Sequence, residues 1–121
     1  MELTPGPRRG ALVTMAIAGD YGKPRPALVL QSDAFIELPS VTVLRITSEI
    51  HEWPLLRITV QPSLENGLRK PSQIMIDKAA TVPRAKLGPR IGCLEVNTMR
   101  EVERALRAFL GLDEIVAPET V

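Results

Sequence analysis

The chain has 121 residues, the size of one domain, with 45% apolar and 24% charged residues. That composition suits a folded globular chain and excludes a disordered chain, a collagen and a multidomain enzyme. One cysteine (Cys93) and one histidine (His51) exclude a disulfide framework, a cysteine-based zinc site and a histidine pair, and a net charge of +1 names no partner.

Residues 4–7, Thr-Pro-Gly-Pro, read as a loose tail. Arg8-Arg9 before the apolar run 11–18 imitates a secretory signal, but eight residues containing a threonine are too short to span a bilayer. The segment 10–18 therefore reads as a buried strand, and no other segment is long enough for a membrane. Residues 19–24 form a loop rich in turn residues. Arg25 precedes a proline and is biased to an extended backbone, so a strand opens at Pro26 and runs over 27–31. Residues 33–38 suit one short helical turn.

The β-branched stretch 41–47 is the next strand. Its alternation sets Leu44 and Ile46 on one face and Val43, Arg45 and Thr47 on the other. Residues 56–60 alternate more cleanly, with Leu56, Ile58 and Val60 inward and Arg57 and Thr59 outward. Asn66-Gly67 marks a turn. Strand 73–77 follows with Ile74 and Ile76 inward, and 91–95 is a last short strand. Thr98 and Glu101 match a capping box that opens a helix. Met99, Val102, Leu106, Phe109 and Leu110 make its apolar stripe, Glu103 and Arg107 are an i,i+4 pair, and Gly111 ends it. Many short strands before one helix predict a small, mainly antiparallel β-barrel or sheet with helical additions.

Charge is unevenly distributed: +2 over residues 1–26, −3 over 27–66, +5 over 67–92 and −3 over 93–121. Arg8, Arg9, Lys23, Arg25, Arg69, Lys70, Lys78, Arg84, Lys86 and Arg90 would form an anion-binding groove if they meet in space. No Gly-rich phosphate loop, nucleophile–histidine–acid set or metal-ligand spacing is present, so neither metal nor cofactor is expected. Cys93 sits in an apolar strand and reads as core. His51 reads as exposed and idle. Trp53 either covers the core edge or contacts a partner. What remains is a basic loop with Lys23 and Arg25, a polar strand end with Thr47 and Ser48, and a basic turn with Arg69 and Lys70. Four aromatics are too few for a base-stacking sheet of several rings.

These segments, in order, resemble the MazF/PemK family of toxin endoribonucleases. The resemblance lies in Arg9-Gly10 opening a strand, Gly-Lys-Pro-Arg-Pro-Ala-Leu-Val at 22–29, Ile-Thr-Ser at 46–48, Asn-Gly-Leu-Arg-Lys-Pro-Ser at 66–72, Ile-Met-Ile-Asp at 74–77 and the helix at 105–112. It implies one domain over 8–112, with tails at 1–7 and 113–121. It implies an SH3-like antiparallel β-barrel with short helices and a C-terminal helix, acting as a homodimer in the bacterial cytoplasm. It also implies metal-independent cleavage of single-stranded RNA at short sequences, with a cognate antitoxin holding the toxin silent. A disordered, acidic and apolar C-terminal segment of that antitoxin would lie along the basic groove. The family's catalytic arginine and threonine fall on Arg25 and Thr47, and Lys23, Ser48, Arg69 and Lys70 would bind RNA. Two departures stand out: strand one lacks the family's frequent aromatic, and Asp20-Tyr21 occupies a loop where some members carry glutamate.

The chemistry is compatible. RNA supplies its own nucleophile, the 2′-hydroxyl, and attack on the adjacent phosphorus leaves a cyclic phosphate and a free 5′-hydroxyl. The protein must align that attack and stabilise the growing negative charge. A planar guanidinium fits two phosphate oxygens, and a hydroxyl can donate to the same group. Two other functions fit the fold: a gyrase-poisoning toxin, as CcdB is, and a non-catalytic SH3-like binding module. The former resembles a C-terminal Trp-Gly-Ile feature, whereas this chain ends Ala117-Pro118-Glu119-Thr120-Val121.

Overall fold

The computed structural model describes residues 6–16 and 23–119. Residues 1–5 of the expected tail 1–7, the end of the first strand at 17–18, the loop residues 19–22, with Asp20-Tyr21, and residues 120–121 of the expected tail 113–121 lie outside the described residues. The described elements are β1 (Ala11–Ala16), β2 (Pro24–Val29), a 3-10 turn (Asp33–Phe35), β3 (Ser40–Thr47), β4 (Arg57–Val60), β5 (Ser72–Pro83), a second 3-10 turn (Arg84–Lys86), β6 (Leu87–Cys93) and α1 (Val96–Leu110).

The strands form one antiparallel sheet in the order β4-β5-β3-β2-β1-β6. Strands β5 and β6 stand four places apart, ~19 Å in a flat sheet at ~4.8 Å per strand. The turn Arg84–Lys86 alone joins them, and so few residues span at most roughly 14 Å fully extended. The sheet therefore has to curl. It does so without closing: β4 and β6 do not pair, and the loop after β4 bridges them, with the Cys93 amide donating to the Glu65 carbonyl at 2.8 Å. The expected barrel is thus a strongly coiled open sheet.

Curling gives two cores. Leu12, Leu28, Leu44, Ile46, Ile58, Val60, Ile74 and Ile76 face α1 through Met99, Val102 and Leu106. On the opposite face Ala11, Val13, Met15, Ala27, Val29, Val41 and Val43 pack under Val82 and Leu87. The two-face alternation expected for strand three is borne out, with both faces buried at Val43 and Leu44.

Several expectations need correction. β5 runs on to Pro83, and β6 starts at Leu87. Arg57 is buried rather than outward, because β4 begins under the connection that precedes it. The helix starts at Val96, before the expected Thr98 cap, and Glu95 caps it without a side-chain bond. The Glu95 carboxylate instead accepts from Ser63 Oγ and from Asn66 Nδ2 at 2.9 Å, so tertiary contacts override the local capping signal. Glu103 pairs with Arg9 at 2.9 Å and Arg107 with Asp113, not with each other. Gly111 does end the helix, with φ 64. Phe109 and Leu110, from the expected stripe, are exposed.

Candidate active site

β2 opens with Pro24-Arg25-Pro26, and prolines have no N–H to donate to a ladder. Its pairing with β3 runs only from Ala27, opposite Arg45, to Val29, opposite Val43. Continued past the last pair, the same register sets Arg25 level with Thr47. Strand alternation then puts Val43, Arg45 and Thr47 on the face that also carries Arg25, Ala27 and Val29. The apolar lower part of that face is the second core; its open end is polar. Arg25 is exposed and Thr47 half-buried at the end of β3. The Thr47 hydroxyl accepts from the Glu49 amide at 3.0 Å, which leaves its own proton to give to another acceptor. Arg45, opposite Ala27 on the same face, is half-buried with a buried Nε that has no partner.

Beside Thr47 lies an open groove of about 950 Å³, lined among others by Glu49, His51, Trp53, Leu55, Arg57 and Asp77. A bulge makes room for it. Leu44 pairs with Ala79 and Ile46 with Ile74, so residues 75–78 of β5 stand opposite Arg45 alone. The groove's far wall is ordered by contacts invisible in the sequence. His51 stacks on Trp53 with centroids 4.6 Å apart, and the Arg57 guanidinium sits 4.9 Å from the indole centroid. Arg57 donates to Asp77 and to its neighbour's carbonyl, Leu56 O at 3.0 Å. Buried Gln73, the β5 partner of Thr47, clamps the connection: its Oε1 accepts from the His51 amide and its Nε2 donates to the His51 carbonyl at 2.9 Å. His51 is therefore not idle, and Trp53 is fixed while half exposed. Burial pushes the Asp77 carboxyl up, but the Arg57 hydrogen bond, its own backbone amide and the charges of Arg57 and Lys78 hold it below the usual carboxylate range.

The other predicted residues divide. Lys23 and Ser48 are exposed beside Pro24 and Thr47. Arg69 and Lys70 are exposed on the loop that leads into Ser72 and Gln73, hence toward Thr47. The larger basic groove does not form from all ten cations. Arg8 pairs with Asp33, Arg9 with Glu103 and Lys78 with Asp77, while Arg84 Nε donates to Leu38 O at 2.6 Å. Arg90 donates to the sulfur of half-buried Cys93.

A family model for the PemK-like, MazF-like toxin of type II toxin-antitoxin systems matches residues 8–110. The chain belongs to the PemK/MazF toxin family. The resemblance carried by the ordered motifs is thereby borne out. The chain is 46% identical over 106 residues to the probable endoribonuclease MazF of Mycolicibacterium smegmatis, covering 87% of this chain and 97% of that relative. It is 32% identical over 96 residues to endoribonuclease MazF3 of Mycobacterium tuberculosis, covering 78% and 90%. Among solved structures it is similar to an endoribonuclease in complex with its cognate antitoxin from a mycobacterial species, with a TM-score of 0.75 and 24% identity over 93% of this chain and 99% of that one. That likeness speaks for the fold of this toxin-family chain.

Proposed function

We propose that this toxin-family chain cleaves single-stranded RNA without a metal, through Arg25 and Thr47. The observation that carries the reading is the shared face and level of these two residues at the open ends of β2 and β3. A phosphate placed between them would meet a two-pronged cation and a hydroxyl whose acceptor side is already occupied by the Glu49 amide. The RNA 2′-oxygen attacks the adjacent phosphorus, its proton leaves to solvent or a neighbouring base, and the bond to the 5′-oxygen breaks. In this reading Arg25 stabilises the phosphorane charge and gives a proton to the leaving oxygen, regaining one from solvent, and Thr47 adds a hydrogen bond. Lys23, Ser48, Arg69 and Lys70 would guide the strand on either side. Primer-extension mapping on a long RNA in EDTA tests this directly. Cleavage at short, reproducible sequences is expected, and a requirement for Mg²⁺ would overturn it.

The working unit in this reading is residues 8–112, as a homodimer in the bacterial cytoplasm. Met99, Val102 and Leu106 are used up in the chain's own core, but Phe109, Leu110 and Leu112 stay exposed at the end of α1 and suit a second copy. No helix among the described residues is long and apolar enough to cross a membrane. A cognate antitoxin, with a disordered acidic and apolar segment, is the expected regulator, and the antitoxin in the solved mycobacterial complex supports that expectation.

A further inference from the structure

We infer that the groove beside Thr47 is a nucleobase subsite, in which one unpaired base of the RNA stacks on Trp53. This rests on the RNA-cleaving reading and adds to it a residue that selects sequence. Trp53 is 49% exposed, an unusual state for the only tryptophan of the chain. Yet it is not loose: His51 stacks on it, Arg57 lies against it, and Asp77 and Gln73 hold those two neighbours. A ring fixed before its ligand arrives loses little freedom on binding, and the half of the indole left exposed is aromatic surface on which a base of any identity can stack.

The remaining chemistry points to a base rather than to another part of a partner. Leu55, Leu56 and Met75 make the groove largely apolar. Its charged lining residues are three carboxylates, Glu49, Glu52 and Asp77, against two cations, Arg57 and Lys78. That balance disfavours a phosphate and an acidic peptide alike, and leaves the neutral part of a nucleotide. Thr47 lines the same groove, so the captured base belongs to a nucleotide next to the phosphate that Thr47 and Arg25 would hold.

The single tryptophan provides the test. The full chain is titrated with 2′-O-methyl RNA oligonucleotides, which lack the nucleophile, while indole fluorescence is followed. A saturable quench is expected, lost when one nucleotide beside the cleavage position is made abasic and kept when distant ones are. Trp53→Ala should raise KM for cleavage on the order of 10- to 100-fold and relax base preference at that position, with Trp53→Phe intermediate. If Trp53→Ala fails to fold, the wild-type fluorescence decides alone. No quench, a quench indifferent to every abasic position, or a folded Trp53→Ala with unchanged KM and preference overturns the inference. So does a fluorescence response to an acidic, apolar peptide but not to RNA. A wild-type chain that cuts no RNA would overturn the proposed function instead, and stacking would still be read with homopolymeric 2′-O-methyl oligonucleotides.

Discussion

The two connections that flank β4 treat their polar groups in opposite ways. In the loop after β4, Asn66 is fully buried and its side chain is saturated: Oδ1 accepts from the Ser63 and Leu68 amides, and Nδ2 donates to Gln61 O and Glu95. Gly67, with φ 70, lies so close to β6 that a Cβ would fall 2.0 Å from the Ile91 carbonyl oxygen. The connection before β4, together with Arg57 at the head of that strand, instead leaves an indole half exposed, a guanidinium nitrogen without a partner and an open groove. A region whose hydrogen bonds close on themselves serves shape. One that keeps fixed but unsatisfied surface can bind something else.

The contrast can be broken at several points. Arg25→Ala should lower the cleavage rate on the order of 10²–10³-fold while leaving the melting temperature near wild type, since the side chain is exposed at a strand end. Purified-enzyme kinetics beside calorimetry check both halves. Thr47→Ala should cost less than that and Thr47→Ser little, because serine keeps the hydroxyl that accepts from Glu49. On the closed side the balance reverses. Asn66→Ala strands the buried Leu68 amide and a partly buried Ser63 amide and should destabilise by roughly 1–3 kcal/mol in urea unfolding, with cleavage by the folded fraction preserved. An Asn66→Ala protein of unchanged stability would end the distinction between the loops. Arg69→Glu or Lys70→Glu, on the outer surface of that same loop, should flatten the slope of log affinity against log salt by about 0.7 per lost phosphate contact.

The smallest effect is one of pH. The Asp77 carboxyl in the folded chain lies below its ordinary 3.8, so its contribution to stability is complete above pH 3.8 and is lost as pH falls further, through the lowered folded value. Acid unfolding of Asp77→Asn, compared with wild type, should converge in that window and differ above it.

Patterns within a few residues were legible in the sequence. The β-branched alternation of 41–47 and the glycine stop after α1 depend on local backbone physics and stand as read, whereas β2 opens at Pro24, before the expected Pro26, and ends at Val29 rather than at residue 31. The family was legible for the same reason, because its motifs are short and ordered. Asn66-Gly67 was visible as a turn, but not as a buried hub, since its partners Glu95 and Ile91 are remote in sequence. Likewise Arg57 alternates like an outward residue, and its burial comes from Trp53 of the preceding connection and from the carboxylate of Asp77 on β5, twenty residues away in sequence.

By itself, then, the sequence determined where the helix stops, that Arg25 and Thr47 sit at strand ends, and the centres of the strands but not the second half of β5 or the first half of β6. Only the tertiary structure decided that those ends lie level on one face, that the helix starts at Val96 and not at Thr98, and that His51, Trp53, Arg57 and Asp77 build a groove beside Thr47. The physical reason is range. Propensity, alternation and turn chemistry act between neighbours, whereas register, bulges and stacking between remote side chains exist only once the sheet has curled and fixed which strands meet.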